Sequence, residues 1–100
     1  MHILIINFNL DGVSHEDYEA SCLEVAPVFA ALPGLISKTW LADEATNTYG
    51  GVYVWESHQA VLDYKDSDVM AQLLGNPVFT NITVTDFGIL AGPSEVTGIA

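Results

Sequence analysis

The chain opens on an apolar run, His2 to Asn9, rich in isoleucine and closed by the turn pair Asp11-Gly12. Its length and β-branched content predict a strand. Both faces of this strand begin apolar, and Asn7 and Asn9 then fall together on one of them, so the strand is expected to be covered on both sides. Ser14-His15-Glu16-Asp17 has the form of a helix start, a serine cap followed by acids in the first turn. Tyr18, Cys22, Val25 and Phe29 follow at spacings of four, three and four, which lays them along one helix face. Pro27 is expected to kink or restart the helix, and Leu32-Pro33-Gly34 to end it.

The period then changes to two. Leu35 to Asp43 reads as a second strand, with Ile36, Lys38, Trp40 and Ala42 on one face and Leu35, Ser37, Thr39 and Leu41 on the other. A polar segment, Glu44 to Tyr49, makes a hairpin loop. Gly50 to Glu56 is a third strand, with Val52 and Val54 opposite Tyr53 and Trp55. Ser57 caps a helix through Ala60, Val61 and Tyr64; Ser67 caps a further turn or two, Asp68 to Leu74, closed by Gly75. Asn81 to Leu90, rich in threonine, valine and isoleucine, is the fourth strand, and residues 91–100 form an extended tail.

Strand, helix, strand, strand, helix, strand is the split βαβ order. It predicts one α+β domain over residues 1–100 of ferredoxin-like βαββαβ type: a four-stranded antiparallel sheet with its helices on one face. A sheet that is apolar on both faces and covered on one needs a second cover. Two such sheets packed face to face supply it, so a homodimer, a dimeric α/β barrel, is expected.

Composition sharpens this picture. Half of the 100 residues are hydrophobic, more than so short a chain hides easily, since it buries only about 65% of its unfolded surface. Thirteen acids face two lysines, Lys38 and Lys65, with no arginine, for a net charge of −11. That balance argues against nucleic acid and against an anionic membrane, both of which need basic contacts. It also argues against a phosphate-bearing cofactor held by arginine. Cys22 is the one cysteine, no signal peptide is evident, and no apolar run approaches the roughly 20 residues of a membrane span, so the protein is expected to be cytoplasmic.

Several local patterns occur together: Asn7 to Gly12, Pro33-Gly34-Leu35 with Lys38-Thr39-Trp40, Gly50-Gly51-Val52-Tyr53, Leu62-Asp63-Tyr64, and Leu74-Gly75-Asn76. In this order they resemble the YdhR-type monooxygenases of the dimeric α/β-barrel superfamily, over most of residues 2–95. The resemblance implies the fold derived above, dimerised through the sheets. Wider relatives include cofactor-free antibiotic-biosynthesis monooxygenases that turn phenolic polyketide intermediates into quinones, haem-degrading enzymes and lactone isomerases. In the haem-degrading branch a histidine ligates iron where this chain carries Leu74, and a tryptophan packs on haem where it carries Tyr64. Haem is therefore not expected.

The residues that could carry chemistry are amides, rings and a few titratable groups. Asn7 could hold a substrate or peroxide oxygen through its amide, with Asn9 beside it. Trp40 could orient an oxygen through its indole N–H, and Lys38 on the same strand face could stabilise an enolate or phenolate. Tyr53, Trp55 and Tyr64 could form a flat aromatic wall. His58 could serve as a base near neutral pH, and Asp86, inside an apolar strand, as a general base with a raised pKa or as an edge-facing charge. His2, His15 and His58 are scattered, with no His-x-His or His-x3-His pair, so no metal site is expected.

These features point to cofactor-independent oxygenation of a small hydrophobic or aromatic molecule, a phenol, quinol or polyketide-like substrate. Asn7, Trp40, Tyr53 and Tyr64 carry the chemistry in that reading, and Asn9, Lys38, Trp55, His58 and Asp86 shape the binding. No cofactor is expected. The rivals are an isomerase or cyclase driven by His58, Asp86 or Lys38, and a dimer that binds a small molecule without turnover.

Overall fold

A computed structural model describes residues 1–98. The chain runs β1 (His2–Leu10), α1 (His15–Ala30), β2 (Leu35–Asp43), β3 (Thr48–Trp55), α2 (His58–Lys65), α3 (Asp68–Gly75), β4 (Phe79–Gly88) and α4 (Ala91–Val96). The strands form one sheet, ordered β2-β3-β1-β4, and every neighbouring pair is antiparallel. This is the ferredoxin-like α+β fold.

The three serines cap the helices they precede: Ser14 accepts from Asp17 N, Ser57 from Ala60 N and Ser67 from Met70 N. Pro27 does not break α1. It lies on the exposed side, as does Leu23 one turn earlier, so the carbonyl it leaves unpaired is on the solvent side. Val25, read as part of the inward stripe, is 42% exposed; Tyr18 and Phe29 are the members of α1 that pack on the core.

Alternation divides the sheet cleanly. Leu4, Ile6, Phe8 and Leu10 of β1 join Tyr53 and Trp55 of β3 under the helices, which contribute Val61, Tyr64 and Met70 to the same core. Ile3, Ile5, Val52 and Val54 point the other way, and none is fully buried. Phe87, opposite Ile3 on β4, is 56% exposed. Within a single chain, then, β1 is covered on one face only.

The structure differs from the sequence reading in the register of β2, the starts of β3 and β4, and the C-terminal segment. A register shift between Leu35 and Ser37 turns β2 locally, so Leu35 packs against the core and Ile36 is half exposed. The extra residue reverses the alternation that simple counting assigns at that point. β3 and β4 both begin two residues earlier than expected, at Thr48 and Phe79. The segment read as an extended tail contains α4, a short helix with no buried residue; residues 99 and 100 lie outside the described chain. Among the described residues no helix is long and apolar enough to cross a membrane.

Candidate active site

The two cations of the chain have opposite surroundings. Lys65 pairs with a carboxylate, its Nζ 2.6 Å from Asp86 Oδ1. Lys38 has no such partner among the described residues. It sits on β2 opposite Tyr53, on the helix-facing side of the sheet, with Trp40 one step along that face. Its Nζ lies 3.4 Å from the centre of the Trp40 ring, 3.6 Å from that of Phe29 on α1, and 4.6 Å from that of Tyr53.

Gly51 makes this placement possible. A Cβ on Gly51 would stand 2.9 Å from Lys38 Cε and 3.1 Å from Tyr53 Cε1. The lysine stem therefore fits against a bare stretch of β3 backbone. Ring faces attract an ammonium, while burial disfavours its charge. Burial is the larger influence and brings Lys38 down to about 7, opposed weakly by the neighbouring Cys22. Lys38, Trp40 and Phe29, with Ala26, Ala30 and Leu35, line a cavity of about 220 Å³ between α1 and β2.

An aromatic belt continues from there into the core. Phe29 meets Trp40 edge-on at 5.2 Å and Tyr53 at 6.3 Å; Tyr53 lies 5.5 Å from Tyr64, and Tyr64 5.0 Å from Trp55. Burial pushes both tyrosine hydroxyls upward, so Tyr53 and Tyr64 remain neutral at physiological pH. Beyond Trp55 and Tyr64 opens a groove of about 440 Å³. One wall is Gly34, whose positive φ of +81° and close approach to Ala60, 2.7 Å from where a Cβ would stand, exclude a side chain. The Trp55 indole N–H is buried without a hydrogen-bond acceptor.

The structure thus brings Lys38, Trp40, Tyr53, Trp55 and Tyr64 together and adds Phe29, which sequence reading treated only as core. It separates the two asparagines from them. Asn7 is opposite Gly50 and projects on the uncovered face, where its amide donates to Tyr49 O at 3.4 Å. Asn9 donates to Asn47 O and accepts from Asn81 Nδ2, at 2.7 and 2.9 Å. Alternation along β1 gives the helix-facing positions to Leu4, Ile6 and Phe8 and leaves the odd-numbered amides outside. Tyr49, read as a loop residue, is a buried β3 residue whose hydroxyl meets His15 Nδ1 at 2.8 Å.

His58 and Asp86 also lie apart from the belt, in a second cluster. Asp86 Oδ2 is 2.6 Å from His2 Nε2 and 3.8 Å from His58 Nε2. The reading of Asp86 as a base with a raised pKa is overturned. The Lys65 hydrogen bond first, and that of His2 second, hold its carboxyl down to about 2. Two of the three histidines that lie scattered along the sequence, His2 and His58, are brought together by the fold. β1 and β4 are hydrogen-bonded neighbours, so His2 meets Asp86 across the sheet, and His58 stacks on His2 with ring centres 4.5 Å apart. The sequence signal was a histidine at the start of one strand and an acid near the end of another, which becomes meaningful only once those strands are paired.

The sheet order and helix placement are those of the ferredoxin-like α+β domains, a fold shared with a solved antibiotic biosynthesis monooxygenase at 13% identity and TM-score 0.70. The chain belongs to the family described as "Putative mono-oxygenase ydhR", whose model matches residues 3–99. It is similar in structure to SnoaB, a cofactor-independent oxygenase from Streptomyces nogalater solved as a point mutant: 20% identity, 89% of this chain and 92% of that chain, TM-score 0.68. It is similar also to the haem degrader MhuD of Mycobacterium tuberculosis, solved with two haems in its active site: 20% identity, 90% of this chain and 96% of that one, TM-score 0.68. A protein of unknown function from Nitrosomonas europaea matches with TM-score 0.74 at 13% identity, over 91% of this chain and 90% of that one. No curated protein matches the chain by sequence. Leu74, the residue on which the expectation against haem rested, is 56% exposed on α3.

Proposed function

We propose that the protein is a cofactor-independent monooxygenase that converts a small phenol, quinol or related aromatic into a quinone. The observation that carries this reading is Lys38: an amine with no carboxylate partner among the described residues, set against the rings of Phe29, Trp40 and Tyr53, and its burial there lowers its pKa to about 7. An unprotonated amine in that setting accepts the proton of a phenol, and the resulting ammonium then steadies the phenolate. Tyr53 and Tyr64 do not compete for the proton, because burial keeps their own protons in place.

The phenolate passes an electron to dioxygen, and the radical pair recombines at a ring carbon. The peroxide so formed collapses to a carbonyl, releasing water. One oxygen atom ends in the quinone and the other in water, with dioxygen the sole oxidant. Trp40 and Phe29 wall the cavity at Lys38 and give a flat substrate ring faces to pack on. Its volume of about 220 Å³ suits a molecule of about one or two rings, being smaller than the ~300 Å³ at which drug-sized sites begin.

We further propose that a second copy covers the outer face of the sheet, where Ile3, Ile5, Val52 and Val54 form an apolar patch with Phe87 exposed beside it. The single cysteine supports a reducing, cytoplasmic setting. The test of the activity is oxygen uptake by chelator-treated protein with a panel of anthrones, naphthols and quinols, read with ¹⁸O₂. A product that has gained one ¹⁸O atom and lost two hydrogens supports the reading. A product of unchanged mass points to an isomerase, and absence of turnover across the panel rejects the enzyme.

A further inference from the structure

His2, His58 and Asp86 each offer one ligand atom, and these three atoms lie within 4.8 Å of one another. They come from three elements: the first residue of β1, the first of α2 and the eighth of β4. None belongs to the aromatic belt around Lys38, so the cluster stands independently of the function proposed above. We infer that it is a binding site for a borderline divalent transition-metal ion, with Zn²⁺ the best match.

Donor type argues for that class. Two imidazole nitrogens and one carboxylate oxygen suit zinc, cobalt or nickel, whereas calcium and magnesium prefer oxygen alone. Geometry argues for it as well. Bonds of about 2.0–2.2 Å in a tetrahedral arrangement set neighbouring ligand atoms about 3.3 Å apart. His2 Nε2 and His58 Nε2 lie 2.6 and 3.8 Å from the same Asp86 oxygen, on either side of that separation. An ion there would draw His58 Nε2 inward and open the short His2–Asp86 contact. The two rings stack with centres 4.5 Å apart, and the Nε2 atom of each lies within 4 Å of that carboxylate.

The surroundings suit a cation that exchanges with solvent. His2 and Asp86 are 13% and 22% exposed at their side chains, and His58 is 60% exposed, which gives an entry route. Lys65 occupies Asp86 Oδ1, while Oδ2 meets His2 Nε2 in a hydrogen bond that the ion would replace with two metal bonds. Its ammonium repels a divalent cation and weakens the site, while the net charge of −11 attracts cations to the molecule as a whole. Three protein ligands leave a fourth position for water or an exogenous ligand.

The experiment titrates the untagged, chelator-treated full chain at pH 7.5 with Zn²⁺ against a chromophoric indicator, and with Co²⁺ by visible absorption. The expected result is one ion per chain, unaffected by excess Mg²⁺, with the absorption bands of cobalt in a nitrogen–oxygen environment. His58→Gln changes an exposed residue and is expected to fold; it should weaken zinc by at least about tenfold, as should Asp86→Asn. Lys65→Met should tighten it. The inference is overturned if wild type binds no stoichiometric zinc, or if His58→Gln, folded by circular dichroism, binds it as well as wild type.

Discussion

Lys38 and Trp40 stand two residues apart on β2, and the lysine Nζ rests 3.4 Å from the centre of the indole ring. The pair gives a half-buried lysine a π face where a carboxylate is the more usual partner. Such a face attracts the ammonium but restores little of the hydration lost on burial, so Lys38 titrates well below the ordinary lysine range.

Stability should therefore rise with pH above neutrality. Lys38 titrates at about 7 when folded and near 10.5 when not. Below about 7 both states carry the proton and the fold bears the whole cost of the buried charge. Between the two values the unfolded chain binds the extra proton, so raising the pH favours the folded state. Lys38→Met removes the charge and keeps most of the stem. It should stabilise the protein by about 1–3 kcal/mol at pH 6 and progressively less toward pH 9.5. Urea unfolding at three pH values checks this; an equal slope in both proteins would show that Lys38 is not its source.

Much of the fold is readable from the sequence, because the alternation of Ile3 through Phe8 and the caps Ser14, Ser57 and Ser67 are local signals. The site is readable only in part. Lys38, Trp40 and Tyr53 follow from strand period, since the register of β2 against β3 keeps them on one face. Phe29 joins them through the packing of α1, which no local pattern fixes. The chemistry of Asn7 suggests a place in the site, and parity keeps it out: the residues on either side of it, Ile6 and Phe8, fill the core. The pairing of His2 with Asp86 joins residues 84 positions apart, on the first and last strands of the chain.

Gly51 and Gly50 should respond differently to alanine. At Gly51 the new Cβ meets the flexible Lys38 stem and the Tyr53 ring edge, so Gly51→Ala should fold, at a cost of about 1–3 kcal/mol. It should also displace the amine from the rings, returning Lys38 toward its ordinary titration, as NMR of the lysine side chain would show. At Gly50 the φ is +148° and the Cβ would lie 1.9 Å from Ile6 O in β1. Neither backbone can move without breaking the sheet, so Gly50→Ala should not yield folded protein. Normal thermal melting of Gly50→Ala would contradict this account.

Assembly can be tested at the centre of the uncovered face. Val52 is opposite both Ile5 and Thr39, so Val52→Glu places a charge in the middle of the apolar patch without touching the helix-facing core. Light scattering should give twice the chain mass for wild type and a single chain for Val52→Glu, with helix and strand content unchanged. A monomeric wild type at micromolar concentration would remove the barrel from the reading.

The role of Lys38 in turnover is separable from its role in packing. With Lys38 as the proton acceptor, kcat/KM for an oxidisable naphthol or anthrone should rise with pH through about 7 and then level, because only the neutral amine accepts a proton. Lys38→Met should lose about 10²- to 10⁴-fold in kcat/KM, the range over which positioned bases act. Trp40→Phe keeps a ring over the amine and should act chiefly on KM. Lys38→Arg decides between two uses of the charge. A guanidinium stabilises a phenolate but accepts no proton at these pH values, so activity retained in Lys38→Arg would assign Lys38 to charge stabilisation alone. Activity lost in Lys38→Arg and Lys38→Met alike, with the rise near pH 7 absent from whatever turnover remains, would identify the amine as the base.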